Sequence, residues 1–289
     1  MSARLRGIAR ETEQIVAEGA YRARDGREVR IGPAVEAARQ GTTLHGPEPV
    51  AVPRSSPVRT RFEVTGESSL DAARRLTGAD GADPVAVLGF ASARNPGGGY
   101  LNGAQAQEEA LCRASALYTC LLRAPGFYEH HRAHRDPFYT DRVIHAPAVP
   151  VFRDDRGGLL DAPFTVGFLT SPAPNAGVIR STAPERLGEL PGVLARRAGR
   201  VLETAAAHGY RRLVLGAWGC GVFRNDPAQV AEAFRASLGP GGRFHGAFGH
   251  VVFAVLDRTR DGEVRAAFER TFADLPAGPA AVSSSRGAP

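Results

Sequence analysis

Six short apolar runs recur along the chain: Phe62 to Thr65, Val85 to Phe90, Val143 to Ala146, Phe164 to Thr170, Leu213 to Ala217 and Val251 to Leu256. Between several of them lie segments whose apolar residues return at helical spacing: Leu70 to Leu76 (begun by Ser69), about Gln107 to Arg123, Pro184 to Ala207 and Asp226 to Leu238. Short buried strands alternating with helices predict a largely parallel or mixed sheet covered on both faces, an α/β fold of three layers, α/β/α, with a mixed central sheet. The helix after residue 107 carries Leu111, Ala114, Tyr118, Leu121 and Leu122 at steps of three and four, so it is expected to bury one stripe and fix its start against the core.

The alternation begins only near residue 60. Before it, Leu5 to Ala20 has helical spacing, Arg22 to Ile31 reads as a hairpin around the Asp25-Gly26 turn, and Val35 to Gln40 forms a short helix. Gly46 to Pro57 is rich in Pro and Ser and reads as a surface connection. Residues 1–60 are therefore expected to be an N-terminal accessory region of helix and hairpin, residues 61–275 the main domain, and residues 276–289, rich in Pro, Gly, Ala and Ser, a disordered tail. A length of 289 residues permits one elaborated domain with extensions.

Composition narrows the class. With 43% hydrophobic and 23% charged residues, neither a disordered nor a membrane chain is favoured. The longest apolar runs fall far short of the roughly 18–20 residues a membrane span needs. Met1 to Ala20 lacks the apolar core and cleavage site of a secretory signal, and Cys112, Cys120 and Cys220 form an odd set without CxxC spacing, so a reducing cytoplasm is expected. The net charge of +6 is carried by arginine, with no lysine in the chain; dedicated binding of duplex nucleic acid is not expected.

Ligands of α/β sheets gather beyond the carboxyl ends of strands, which directs attention to two loops. The first runs from Ala91 through Asn95-Pro96-Gly97-Gly98-Gly99 and, seven residues later, meets Gln107-Glu108-Glu109 at a helix start. The second reads Gly216-Ala217-Trp218-Gly219-Cys220-Gly221-Val222-Phe223-Arg224-Asn225-Asp226. Successive glycines let backbone amides approach an anion such as a diphosphate; alone, such a run is equally the mark of a flexible loop. No Lys-Ser or Lys-Thr follows, and G-x-G-x-x-G is absent, which removes support for phosphoryl and hydride transfer. Phe223 suits stacking on a ribose or base as well as it suits a core, whereas Trp218, at a strand end, reads as core.

Glu108 and Glu109 are adjacent, so on a helix they leave the axis about 100 degrees apart and do not read as a conventional glycosidase pair; one carboxyl must then do most of the proton work. Acidic residues also favour helix N-termini without any function. His130, His131 and His134 lie close together, but in a polar stretch without nearby Cys, and no metal or other cofactor is expected. Cys220 has no partner His identifiable by spacing and reads as a small packed thiol.

Gly97-Gly98-Gly99, the seven-residue gap, Gln107-Glu108-Glu109 and the downstream Gly-Ala-Trp-Gly-Cys-Gly-Val-Phe together resemble the bacterial-type poly(ADP-ribose) glycohydrolases of the macrodomain superfamily, over roughly residues 60–275. The resemblance implies a macrodomain-like fold and glycosidase activity releasing ADP-ribose. It implies Glu109 as the catalytic residue, Glu108 on ribose hydroxyls and Asn95 on the distal ribose. Gly97, Gly98 and Gly99 would meet the diphosphate, with Gln107, Gly219, Cys220, Gly221, Val222 and Phe223 completing the substrate contacts. Partners implied are poly(ADP-ribose), ADP-ribose and ADP-ribosylated proteins. A reader that binds ADP-ribose without cleaving it, and a hydrolase of mono-ADP-ribosyl or O-acetyl-ADP-ribose substrates, stand as the alternatives.

Overall fold

The two faces of each apolar strand decide the layering. The computed structural model describes residues 2–53, 56–78 and 83–276. The chain opens with α1 (Ala3–Glu18), a hairpin of β1 (Ala20–Arg22) and β2 (Glu28–Arg30), α2 (Gly32–Gly41) and a short strand β3 (Thr43–His45). Then come β4 (Arg61–Thr65), α3 (Ser69–Gly78), β5 (Val85–Phe90), α4 (Gln107–Ala114), α5 (Leu117–Leu121) and α6 (Pro125–Ala133). A long hairpin of β6 (Val143–Arg153) and β7 (Leu159–Ser171) is followed by α7 (Ala176–Thr182), α8 (Leu190–Ala207), β8 (Arg212–Leu215), α9 (Pro227–Leu238), β9 (His250–Ala254) and α10 (Glu263–Phe272).

Seven strands form the central sheet in the order β3-β6-β7-β5-β8-β9-β4. β7, β5, β8, β9 and β4 run parallel and β6 antiparallel, so the sheet is mixed, as the alternation predicts. Period two then sorts the side chains. Val85, Val87, Phe168, Val214 and Val252 pack with α1 to α5 on one face. Ala86, Leu88, Leu169, Leu213, Val251 and Phe253 pack with α8, α9 and α10 on the other.

The first 60 residues are woven into this frame. β3 pairs antiparallel with β6 as an edge strand, and Ala9, Ile15, Tyr21, Val29 and Val35 belong to the same buried cluster as β5 and α4. The tail expected to be disordered lies, beyond Pro276, outside the described residues.

Two local expectations need correction. The helix placed over 107–123 is broken: Ser115 is extended (φ −145°, ψ 176°) and bridges Val151 of β6, while the Ala116 N–H donates to Pro150 at 3.1 Å. The Ser115 hydroxyl donates to the Leu111 carbonyl at 2.7 Å and accepts the Leu117 N–H at 3.2 Å, so it closes one helix and opens the next, a competition with helical bonding that Ser is suited to. Leu122, placed on the buried stripe, is 50% exposed as a result. The strand placed over 143–146 continues to Arg153, with a register shift between Ala146 and Val149 that accommodates Pro147.

Candidate active site

A cavity of about 1070 Å³ opens where β5, β8 and β9 end. Its wall includes Ala91 to Asn95 after β5, Gln107 to Leu111 at the start of α4, Ala217 to Phe223 after β8 and Ala254 to Thr259 after β9; Arg4, Leu5 and Ile8 of α1 close another side. This is the crevice that the strand polarity of an open α/β sheet creates.

The two acids converge despite their divergence at the backbone. Glu108, 2% exposed, accepts the Ser92 N–H through Oε2 at 2.6 Å, while its Oε1 is buried with no hydrogen-bond partner among the described residues. Glu109, 8% exposed, accepts the Gly99 N–H through Oε1 at 2.9 Å. Both carboxylates therefore face the 91–99 loop, because long side chains in the first turn of α4 bend toward it. Gln107 fixes the turn itself: its amide nitrogen donates to the Leu88 carbonyl (2.7 Å) and Ser69 Oγ (3.1 Å), and its oxygen accepts the Phe90 N–H (2.9 Å). Its side chain is thus spent on tying α4 to the end of β5.

Burial pushes the Glu108 carboxyl well above its ordinary value of 4.5; the Glu109 charge adds to this, and the amides of Ser92 and Gly97 oppose it. A raised folded-state pKa means the fold holds this proton more tightly than the unfolded chain does. The stabilisation is complete below pH 4.5 and is lost as pH rises through the folded-state value. Glu108→Gln, which cannot ionise, is expected to be more stable than the parent at pH 8 and little different from it at pH 4.5. Thermal denaturation of both proteins from pH 4.5 to 9 checks this, and parallel profiles would contradict it.

The glycines take different parts. Gly97 packs against Tyr118 and Cys112, Gly98 against both acids, and Gly99 against Ala104. A Cβ on Gly98, whose φ is +58°, would stand 2.5 Å from Glu109 Oε1 and 3.3 Å from Glu108 Oε2. Asn95, by contrast, is exposed on the wall; its carbonyl accepts the Gly98 N–H at 3.0 Å, and its side-chain amide makes no hydrogen bond among the described residues. The second loop does line the cavity from Gly219 to Phe223. Val222 is 83% exposed at its rim, and Phe223 is half-buried, its ring centroid 5.9 Å from that of Tyr139. Trp218 lies in the core, with its indole N–H donating to the Ser171 carbonyl at 2.9 Å.

Asn225 ends the second loop and staples it, donating through Nδ2 to the carbonyls of Pro174 (2.8 Å) and Gly219 (3.2 Å). Sequence reasoning gave it no role, although an Asn closing a glycine loop is a recognisable signal. Tyr139, held at φ +57°, and Asp155, whose carboxyl burial raises and which contacts Ser68, also line the cavity unforeseen. Burial pushes the Cys220 thiol up to about 12, which removes it as a nucleophile near neutrality.

His130, His131 and His134 lie on and just after α6 and do not gather as ligands. His131 donates from Nδ1 to the Phe127 carbonyl (2.8 Å) and accepts Thr140 Oγ1 at Nε2 (2.8 Å), so both its nitrogens are engaged, and the rings of His130 and His134 stack at 4.1 Å.

Residues 9–154 match the family model of the microbial-type PARG catalytic domain. The crystal structure of poly(ADP-ribose) glycohydrolase from Thermomonospora curvata is 52% identical, with a TM-score of 0.88, covering 94% of this chain and 100% of that one. The same protein bound to the inhibitor ADP-HPD is 50% identical, at a TM-score of 0.87 with the same coverage. The enzyme from Deinococcus radiodurans in complex with ADP-ribose is 46% identical, with a TM-score of 0.77, covering 85% of this chain and 98% of that one. No curated protein matches.

Proposed function

The chain belongs to the microbial-type poly(ADP-ribose) glycohydrolases, and from that premise we propose that it hydrolyses the ribose–ribose O-glycosidic bonds of poly(ADP-ribose), with Glu109 as general acid and base. The observation that carries this reading is the fixed position of Glu109: a buried carboxylate on the cavity wall, held by the Gly99 amide at 2.9 Å. Glu109 gives its proton to the leaving oxygen, the sugar passes through an oxocarbenium-like state, and the same carboxylate takes a proton from the attacking water. The orphaned Glu108 Oε1 supports a role in accepting a ribose hydroxyl, and exposed Asn95 one on the distal ribose. Gly219 to Phe223 is the wall segment suited to the diphosphate and its ribose, with Phe223 offering a ring face. Gly98 acts by leaving room for the acids.

Cleavage from chain ends is part of the proposal. α1 is strapped over the loop that leads into the acids: the Ser2 N–H donates to the Gly103 carbonyl (3.1 Å), and the Tyr100 hydroxyl meets Glu13 (2.9 Å) and Ala9 (3.2 Å). A wall there supports a pocket that admits a terminal ADP-ribose and stops an internal one. We further place the protein in the macrodomain superfamily and in a bacterial cytoplasm, acting on polymer attached to proteins; no helix among the described residues is long and apolar enough to cross a membrane.

Incubation with long, end-labelled poly(ADP-ribose) tests the reading. Free ADP-ribose is expected as the main product from the earliest time points. Tight binding without product would identify a reader, long early fragments an internal cutter, and faster release from mono-ADP-ribosylated protein or O-acetyl-ADP-ribose a different hydrolase.

A further inference from the structure

Away from the catalytic cavity, three histidines meet that are separated by 163 residues between the first and last. Their meeting follows from strand register. Thr43 of β3 is opposite His145 of β6, so His45, two residues on, shares the same face as His145. That face lies under the end of α8, whose C-cap residue is His208. One ring nitrogen from each of the three lies within 4.8 Å of the other two, and this is the one such group of potential ligands among the described residues.

We propose that His45, His145 and His208 form a structural zinc site that fastens the N-terminal edge strand to β6 and to the end of α8. His45 Nε2 and His208 Nε2 stand 2.9 Å apart and share one proton at most. A zinc ion with bonds of about 2.0–2.1 Å spaces two tetrahedral nitrogens about 3.3 Å apart, so it replaces that proton with a small opening of the pair. His208 is exposed and is free to tilt off the His145 ring, on which it stacks at 3.6 Å.

His145 supplies the strongest indication. It is 3% exposed, its Nε2 lies 2.8 Å from the Tyr210 hydroxyl, and its Nδ1 is buried with no hydrogen-bond partner among the described residues. If Nε2 carries the proton and donates to Tyr210, Nδ1 is a buried lone pair; if Nδ1 carries it, a buried N–H is orphaned. A metal on Nδ1 removes the mismatch, and a hydrogen bond from the distal ring nitrogen is the usual way a ligating imidazole is oriented. The neighbouring Arg200 is paired with Glu203 and donates to the Gly46 carbonyl, so its charge is compensated. Three imidazoles without thiolate or carboxylate suit zinc with water in the fourth position, an open coordination rather than the four-protein-ligand closure of most structural sites. None of the three lines the catalytic cavity, so the role assigned is structural.

The full-length, tag-free protein, stripped with a chelator and titrated with zinc sulfate by calorimetry, should take up one ion per chain and gain several degrees in Tm at saturation. Cobalt(II) should give the visible absorption of a tetrahedral site. His208→Ala changes an exposed residue and spares the fold; it should weaken zinc at least about 100-fold, and Tyr210→Phe about 10–100-fold. Polymer hydrolysis by metal-free His208→Ala should equal that of the metal-free parent. No stoichiometric zinc, or uptake unchanged in both His208→Ala and His45→Ala, would overturn the site, whatever the outcome for hydrolysis.

Discussion

Glu109→Gln should slow the release of ADP-ribose from poly(ADP-ribose) by about 10²–10⁴-fold, the range that loss of a positioned general acid and base produces. Glutamine is the informative replacement because it keeps the carbonyl oxygen that accepts the Gly99 N–H, and therefore keeps the 97–99 loop in place. Alanine would release that amide and confuse loss of chemistry with loss of structure. Affinity for ADP-ribose, by calorimetry, should stay within about three-fold, since the groups proposed to hold the ligand are untouched. Retained turnover would remove Glu109 from the chemistry. Loss of binding together with turnover would make it a scaffold for the loop.

The frame of the molecule was legible because its signals are local. The apolar runs at 85–90, 213–217 and 251–256 became β5, β8 and β9, all parallel and buried on both faces. The acids could be placed at a helix start because the spacing from the glycines lies within one loop and one turn. What stayed hidden depends on distant partners. Ser115 breaks its helix only because β6, more than thirty residues later, offers Val151 as a bridge. Gln107 reads as a substrate contact in the motif, yet its amide is consumed by Leu88, Phe90 and Ser69. The sequence shows three histidines at 130–134, but strand register and the end of α8 bring a different three together.

The glycine run is where structure alters the reading most, and Gly98→Ala isolates the effect. At φ +58° an alanine costs about 1–2 kcal/mol of backbone strain, and its Cβ would also stand 2.5 Å from Glu109 Oε1 and 3.2 Å from its Cδ. Real side chains do not approach so closely, and the side chain able to give way is that of Glu109. The acid is then displaced by about an ångström, which in an organised site costs on the order of 10²-fold in kcat. Gly241→Ala is the matching control: its φ is +77°, so the strain is similar, but nothing lies within 4 Å of the added carbon. Both variants should lose a similar few degrees of Tm, and only Gly98→Ala should lose turnover. If Gly98→Ala weakened ADP-ribose binding instead and left kcat intact, the glycine would be serving the diphosphate directly rather than making room for the acids.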